Sequence, residues 1–235
     1  MKLSGGVKLS AGMKLSSSAA PVTITYSYPL AVATDPTSAT WRGNNAPAGW
    51  TFTPNVGYTS TAPLTSCANM FQDVTTFNTD ISSWDVSTVT DMSDMFKGAT
   101  NFNQPLNTWN VGNVTDMEDM FREANNFNQP LNAWDVSSVT DMEQMFGGAL
   151  VFNQDLDNWN TSNVTNMYGM FDQDPGGTGR STPMAFNGNI TTWNVGNVTT
   201  MSDMFEGCES FTQDIGSSWD VSSVTDMTDM FLDCA

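Results

Sequence analysis

The chain contains no histidine, which removes the commonest general base and the commonest metal ligand. It has 3 cysteines, Cys67, Cys208 and Cys234, and no two of them have the spacing of zinc ligands. So sparse and odd a count does not describe a disulfide framework. Basic residues are scarce too, with Lys+Arg 7 against Asp+Glu 25 and a formal net charge of -18. A chain this acidic repels nucleic acid phosphates and anionic membranes, and attracts cations or basic partners. No stretch approaches the roughly 18 apolar residues that span a bilayer, so membrane insertion is not expected. The first residues include lysines but no apolar run of the kind that makes a secretory signal. A role outside the cell would then require another route of export, or arrival as part of a particle.

Charge is unevenly divided. Residues 1–63 hold Lys2, Lys8, Lys14 and Arg42 against one acid, Asp35. All other acids lie in 64–235, which carries only Lys97, Arg122 and Arg180 as bases. The same boundary separates two textures. Residues 1–19 are a hexad pattern, (Met/Val)-Lys-Leu-Ser-x-x. It reads either as a disordered tail or as an assembly anchor carrying Lys2, Lys8 and Lys14, which orders as an extended strand on a partner or a second copy. Residues 20–63 alternate in the β manner over 22–34 and again over Thr51 to Tyr58, and are expected to form a β-rich cap.

From residue 64 onward a repeat dominates. Met-Phe pairs begin at Met70, Met95, Met120, Met145, Met170, Met204 and Met230, in steps of 25, 25, 25, 25, 34 and 26. Tryptophans keep the same steps at Trp84, Trp109, Trp134, Trp159, Trp193 and Trp219. All 14 phenylalanines except Phe52 fall on repeat positions, as do all 16 methionines except Met1, Met13 and Met184. In the copy starting at Leu106, Trp109 and Val111 alternate with polar residues, which predicts a short strand. Val114, Met117, Met120, Phe121 and Ala124 then follow at helical spacing. Thr115 with Glu118, and Thr140 with Glu143, read as capping boxes for that helix. A unit this short cannot bury both faces alone. The expected fold is therefore an α/β solenoid, a stack of short parallel strands and short helices with apolar columns inside.

The spacing Leu106-x-x-Trp109-x-Val111 matches the core of leucine-rich repeats. The longer unit, Phe-Asn-Gln-x-Leu-x-x-Trp-Asp/Asn-Val-Ser-x-Val-Thr-Asp-Met-x-x-Met-Phe, resembles the BspA-like surface-protein repeat of the DUF285 family over 64–235. That resemblance implies a leucine-rich-repeat-like architecture and a role in adhesion or display, and it supplies no catalytic residues. The location it implies is extracellular, on a virion or a cell surface.

Breaks in the repeat are the places to seek specific function. The copy before Phe186 is longer by a Gly- and Pro-rich stretch at 172–183. This reads either as a tolerated insertion or as a binding loop bearing Asp172, Asp174 and Arg180. Cys67 takes the place of Met92, and Cys208 and Cys234 that of Ala99. On adjacent turns, Cys208 and Cys234 are close enough for a disulfide. The final copy runs to Ala235 with no polar segment after it, so either a partner or another subunit is expected over that end or the final coil is a frayed half-repeat.

Equivalent acids fall in rows. One contains Asp91, Asp116 and Asp141, and a second contains Asp94 and Asp119. Stacked carboxylates with amide oxygens nearby suit calcium, while the simpler reading is a solvated acidic face. No cofactor is required by any motif. The repeat also lacks a nucleophile–base set, a phosphate loop and a dinucleotide fingerprint. Every acid is a repeat element, whereas a catalytic pair should break the pattern. The expected function is non-enzymatic: a virion-associated attachment or assembly protein, with partners being a protein or glycan on a surface and other copies joined through the tail and the last repeat. Alternatives are a cellular adhesin and a carbohydrate-active spike.

Overall fold

The computed structural model describes residues 26–28, 51–53, 57–60, 65–177, 179 and 182–234. Three short strands precede the repeats: β1 (Tyr26–Tyr28), β2 (Thr51–Thr53) and β3 (Gly57–Ser60). They form an antiparallel sheet in the order β1-β3-β2, with Tyr26 opposite Ser60 and Thr51 opposite Thr59. The lysines Lys2, Lys8 and Lys14 of the expected anchor, and Arg180 of the insertion, lie outside the described residues.

From residue 65 on, each repeat lies beside the next in parallel. Single-residue bridges join Ser66, Asp91, Asp116, Asp141, Asn166, Thr200 and Asp226 in series. Each link advances by one repeat, including the long one from Asn166 to Thr200, so the insertion leaves the register untouched.

The predicted helix over Thr115 to Ala124 is not formed. Among the described residues the repeat contains no helix, and tight turns run through this stretch instead. Asp119 and Glu123 have φ of 55° and 56°, and the same left-handed positions recur at Asp94, Gln144, Asp203 and Asp229. Amides alternate between two uses. Met120, Arg122 and Ala124 donate to carbonyls three residues back, at Met117, Asp119 and Phe121. Met117, Asp119, Phe121 and Glu123 donate to the next repeat, at Asp141, Glu143, Met145 and Gly147. A helix would spend all of these amides internally and pay for a nucleus in only two to three turns. Bonding across repeats satisfies the same groups without that nucleus. The strand predicted around Trp109 and Val111 is likewise replaced by turns, in which Trp109 donates to Leu106 and Val114 to Val111.

The capping boxes fail for a related reason. Thr115 Oγ1 does not cap; it donates to the Thr90 carbonyl one repeat earlier at 3.1 Å. The acid after it does the local work: Asp116 Oδ1 accepts the Glu118 amide at 3.0 Å. Asp91, Asp141, Asn166 and Asp226 make the same contact two residues on.

Inside run three aromatic columns. Phe121 stacks on Phe96 and Phe146 at 5.4 and 5.6 Å, and on its own repeat's Phe127 at 4.1 Å. The indoles of Trp134, Trp159 and Trp193 lie parallel at 6.4 and 6.1 Å. Each donates its Nε1 proton to a carbonyl one repeat back, Trp134 to Leu106 at 2.9 Å, so the buried indole is satisfied. A row of asparagines at Asn78, Asn103, Asn128, Asn153 and Asn187 acts across repeats too. Asn78 Oδ1 accepts the Asn103 amide and the Gln104 side chain, both at 2.9 Å, and Asn103 serves Asn128 and Gln129 alike. The amides therefore pair with the neighbouring backbone and glutamine rather than with one another.

All three cysteines are free. The disulfide that the spacing of Cys208 and Cys234 allows is not present: the Cys208 thiol points at the Phe171 carbonyl and that of Cys234 at Phe205, each one repeat back. Burial pushes the Cys208 thiol far up, away from the thiolate form that exchange chemistry needs.

Candidate functional sites

Two groups of side chains stand out from the repeat scaffold: the acidic rows, and the insertion with the residues beneath it.

In the first acidic row each carboxylate is already committed to a turn. Burial raises the Asp116 carboxyl, and Asp91 and Asp141 on either side add to it. Glu118, in the adjoining row, is pushed up to about 7 by burial and by Glu143, Asp119, Asp116 and Asp141. Asn166 relieves the row locally, donating to Asp141 at 3.3 Å and Glu143 at 2.9 Å. In the second row the repulsion is met by cations. Lys97 bridges Asp94 and Asp119, and Arg122 Nη1 reaches Asp119 at 3.3 Å. Among the described residues no group of three or more Cys, Asp or Glu side chains is placed to hold one metal ion. The carboxylates weighed as possible calcium ligands, Asp91, Asp116, Asp141, Asp94 and Asp119, serve turns and ion pairs in this structure.

These shifts carry a pH dependence. A carboxyl whose folded pKa is raised contributes its full stability below the unfolded value, and loses it as pH rises through the folded value. For Glu118 that window runs from about 4.5 to about 7. The melting temperature is therefore expected to fall between pH 5 and pH 8, and Glu118→Gln to flatten part of that fall; thermal melts across this range check it. Solvent screening at this partly exposed site keeps the effect under about 1 kcal/mol. Asp135, Asp220 and Asp226 are lowered by hydrogen bonds to serine or threonine two residues on, and act only in the acid range.

The insertion is seated rather than free. Arg122 Nη2 and Gln144 Nε2 both donate to the Pro175 carbonyl, at 2.9 and 3.2 Å. The extra chain thus folds back over the two preceding repeats. Gly147 lies under the proline, where a Cβ would come within 3.1 Å of Pro175 Cβ. Asp172 is buried at the root of the loop and accepts the Asp174 amide at 2.7 Å. Burial pushes its carboxyl up to about 7 against that hydrogen bond, with Glu206, Asp203 and Asp174 adding repulsion. Asp174 Oδ2 accepts the Gly179 amide at 2.6 Å. Of the residues expected to bind a ligand, Asp172 and Asp174 are thus brought together as parts of the loop's own fold, with Asp172 beneath it.

Sequence reasoning missed Arg122, Gln144 and Gly147, although Gln144 and Gly147 break their columns. Gln144 stands in the row of Asp94, Asp119, Asp203 and Asp229, and Gly147 in that of Lys97, Arg122 and Glu206. Arg122→Ala is expected to release the loop and to leave the buried Asp119 carboxylate short of a partner. Such a loss costs about 1–3 kcal/mol. The measurement is amide exchange and protease cleavage over 173–183, which should rise while the other repeats stay protected.

These features define a class: a repeat protein whose 25-residue units bond edge to edge through backbone and ladder side chains. The family model described as "Mycoplasma protein of unknown function, DUF285" matches residues 65–177 and 180–235, well over half of the chain, and the chain belongs to that family. No curated protein and no solved structure matches it.

Proposed function

We propose that residues 64–235 are a solenoid related to leucine-rich repeats. On this reading it works as a non-enzymatic attachment or assembly component of a virion, exposed to the exterior and binding a protein or glycan. One observation carries the reading. The polar side chains of the repeat are consumed in building it: aspartates close turns, threonines and asparagines tie neighbours, and Lys97 and Arg122 neutralise Asp119. A scaffold that repeats the same chemistry in every unit suits an extended contact surface and does not single out a reacting pair. The hexad pattern of residues 1–19 favours assembly with other chains. A cellular adhesin is the second reading, favoured by the similarity of the repeat to BspA-like surface proteins.

The test is to raise antibodies against the full chain and label intact particles and intact cells from the same culture. Label on particles supports the virion reading, and label on cell envelopes alone supports the adhesin. Signal appearing only after lysis, in neither fraction, contradicts both.

A further inference from the structure

Among the described residues one peptide bond joins aspartate to proline, Asp174–Pro175, at the root of the insertion. This kind of linkage is open to attack by its own side chain. A carboxylate oxygen of Asp174 reaches the Asp174 carbonyl carbon through a five-membered ring, and the proline nitrogen leaves as a basic secondary amine. In an unheld chain the reaction is slow, because the groups seldom meet in the required geometry.

Here the groups around the bond are held. Asp174 to Gly177 form a turn with proline in its favoured second place, and the Gly177 amide donates to the Asp174 carbonyl oxygen at 2.8 Å. That oxygen belongs to the carbonyl under attack, so the N–H sits where negative charge would develop. Gly179 orients the nucleophile, its amide donating to Asp174 Oδ2 at 2.6 Å. Downstream of the bond, Arg122 and Gln144 grip the Pro175 carbonyl. Upstream, the Asp174 amide donates to Asp172 Oδ1 at 2.7 Å. Asp172 is itself 4% exposed and faces Glu206, Asp203 and Asp174, with Tyr168 and the Cys208 thiol near it. Burial and the surrounding acids keep its carboxyl protonated up to about pH 7, so a proton is stored beside the bond. Gly176 and Gly177 are exposed, which admits water to the turn.

We propose that the chain cuts itself between Asp174 and Pro175. An Asp174 carboxylate oxygen attacks the Asp174 carbonyl carbon, and the C–N bond to Pro175 breaks as its nitrogen takes the proton of Asp172. Asp174 is left as a five-membered cyclic anhydride. Water opens the anhydride to two carboxylates; of the two protons released, one returns to Asp172 and one goes to the Pro175 amine. The net change is the addition of one water. Backbone bonds from Phe171 to Met204 and from Gln173 to Glu206 cross the cut, so the two pieces stay stacked while the insertion gains a free end. The event occurs once per chain and holds whichever surface the protein occupies.

The experiment incubates the full chain between pH 5 and pH 9 and reads it by intact mass spectrometry after unfolding. The expected products are fragments 1–174 and 175–235, together heavier than the chain by one water. Their rate of appearance should fall above about pH 7, as Asp172 loses its proton. Chains kept unfolded in guanidinium chloride lose the clamps and should cut at this bond at least about a hundredfold more slowly. Asp174→Asn, which cannot form the anhydride, should slow the cut by at least about a hundredfold. Asp172→Asn keeps the acceptor for the Asp174 amide but not the proton. It should slow the cut at least about tenfold and abolish the fall above pH 7, a change that a purely structural carboxyl would not produce. Both variants are expected to melt cooperatively, like wild type. A chain that stays whole at every pH, or one cut as fast when unfolded, overturns the proposal. An unchanged pH profile in Asp172→Asn overturns the role given to Asp172.

Discussion

Phe121→Ala is expected to cost about 3–5 kcal/mol of stability, among the largest single-site losses available in this chain. Phe121 is fully buried, and its ring is sandwiched between Phe96 and Phe146 while also stacking on Phe127. Removing it opens a void that neighbouring repeats cannot close, because their rings are fixed by their own ladders on both sides. Phe231 provides the control. It holds the same column position and stacks on Phe205 at 5.4 Å, yet it is 47% exposed. Phe231→Ala should cost about 1 kcal/mol or less, since little area is returned to water. Urea unfolding of the two variants reads the difference directly. Equal losses would mean that the column is not continuous.

The second large effect is at Gly188, where the repeat pattern and the structure predict opposite signs. Gln104, Gln129, Gln154 and Gln213 occupy this place in other repeats, so restoring glutamine looks like an improvement. The structure forbids it. A Cβ on Gly188 would be driven into the backbone carbonyl of Gln154, with its carbon only 2.8 Å away. The close approach is built from both sides: the Asn187 and Asn189 amides donate to Asn153 and Asp155, and Leu156 donates to Asn189. Backbone cannot swing aside as a side chain can, so Gly188→Ala and Gly188→Gln should each cost about 1–3 kcal/mol, at the upper end of that range. Chemical denaturation tests this, and a Gln variant more stable than wild type would contradict it.

Much of the architecture is legible in the residues, and what is not has a common cause. The columns are plain: Trp109, Val111, Val114, Met117, Met120, Phe121 and Ala124 all face inward as their spacing implies. Their spacing cannot distinguish a helix from a chain of tight turns, because both return a side chain to the same face every three to four residues. Thr115 with Glu118 has the same ambiguity. A hydroxyl that could cap a helix here reaches the Thr90 carbonyl of its neighbour instead. The choice between local and neighbouring partners depends on another repeat being present, which no window within one repeat reveals. The insertion illustrates this best. Composition marks 172–183 as a loop, but only the placement of the Pro175 carbonyl beside Arg122 and Gln144 shows where it is held. The substitutions at Gln144 and Gly147 were the visible signs. The acidic rows were readable as repulsion, and the remedy, Lys97 between Asp94 and Asp119, could be inferred only once the neighbours were in register.

The central claim is that each repeat, whatever its length, advances the chain by one inter-strand spacing. Spin labels test it on the exposed threonine row, in a background with Cys208 and Cys234 replaced by Ala, as at the equivalent Ala99, and Cys67 by Met, as at the equivalent Met92. Thr90 and Thr165 are three links apart, and Thr90 and Thr225 five, the latter pair spanning the insertion. At about 4.8 Å per link, pulsed dipolar spectroscopy should give backbone separations of about 14 Å and about 24 Å after correction for the label arms. A Thr90–Thr225 distance well beyond that, growing with the number of residues rather than the number of repeats, would contradict the claim.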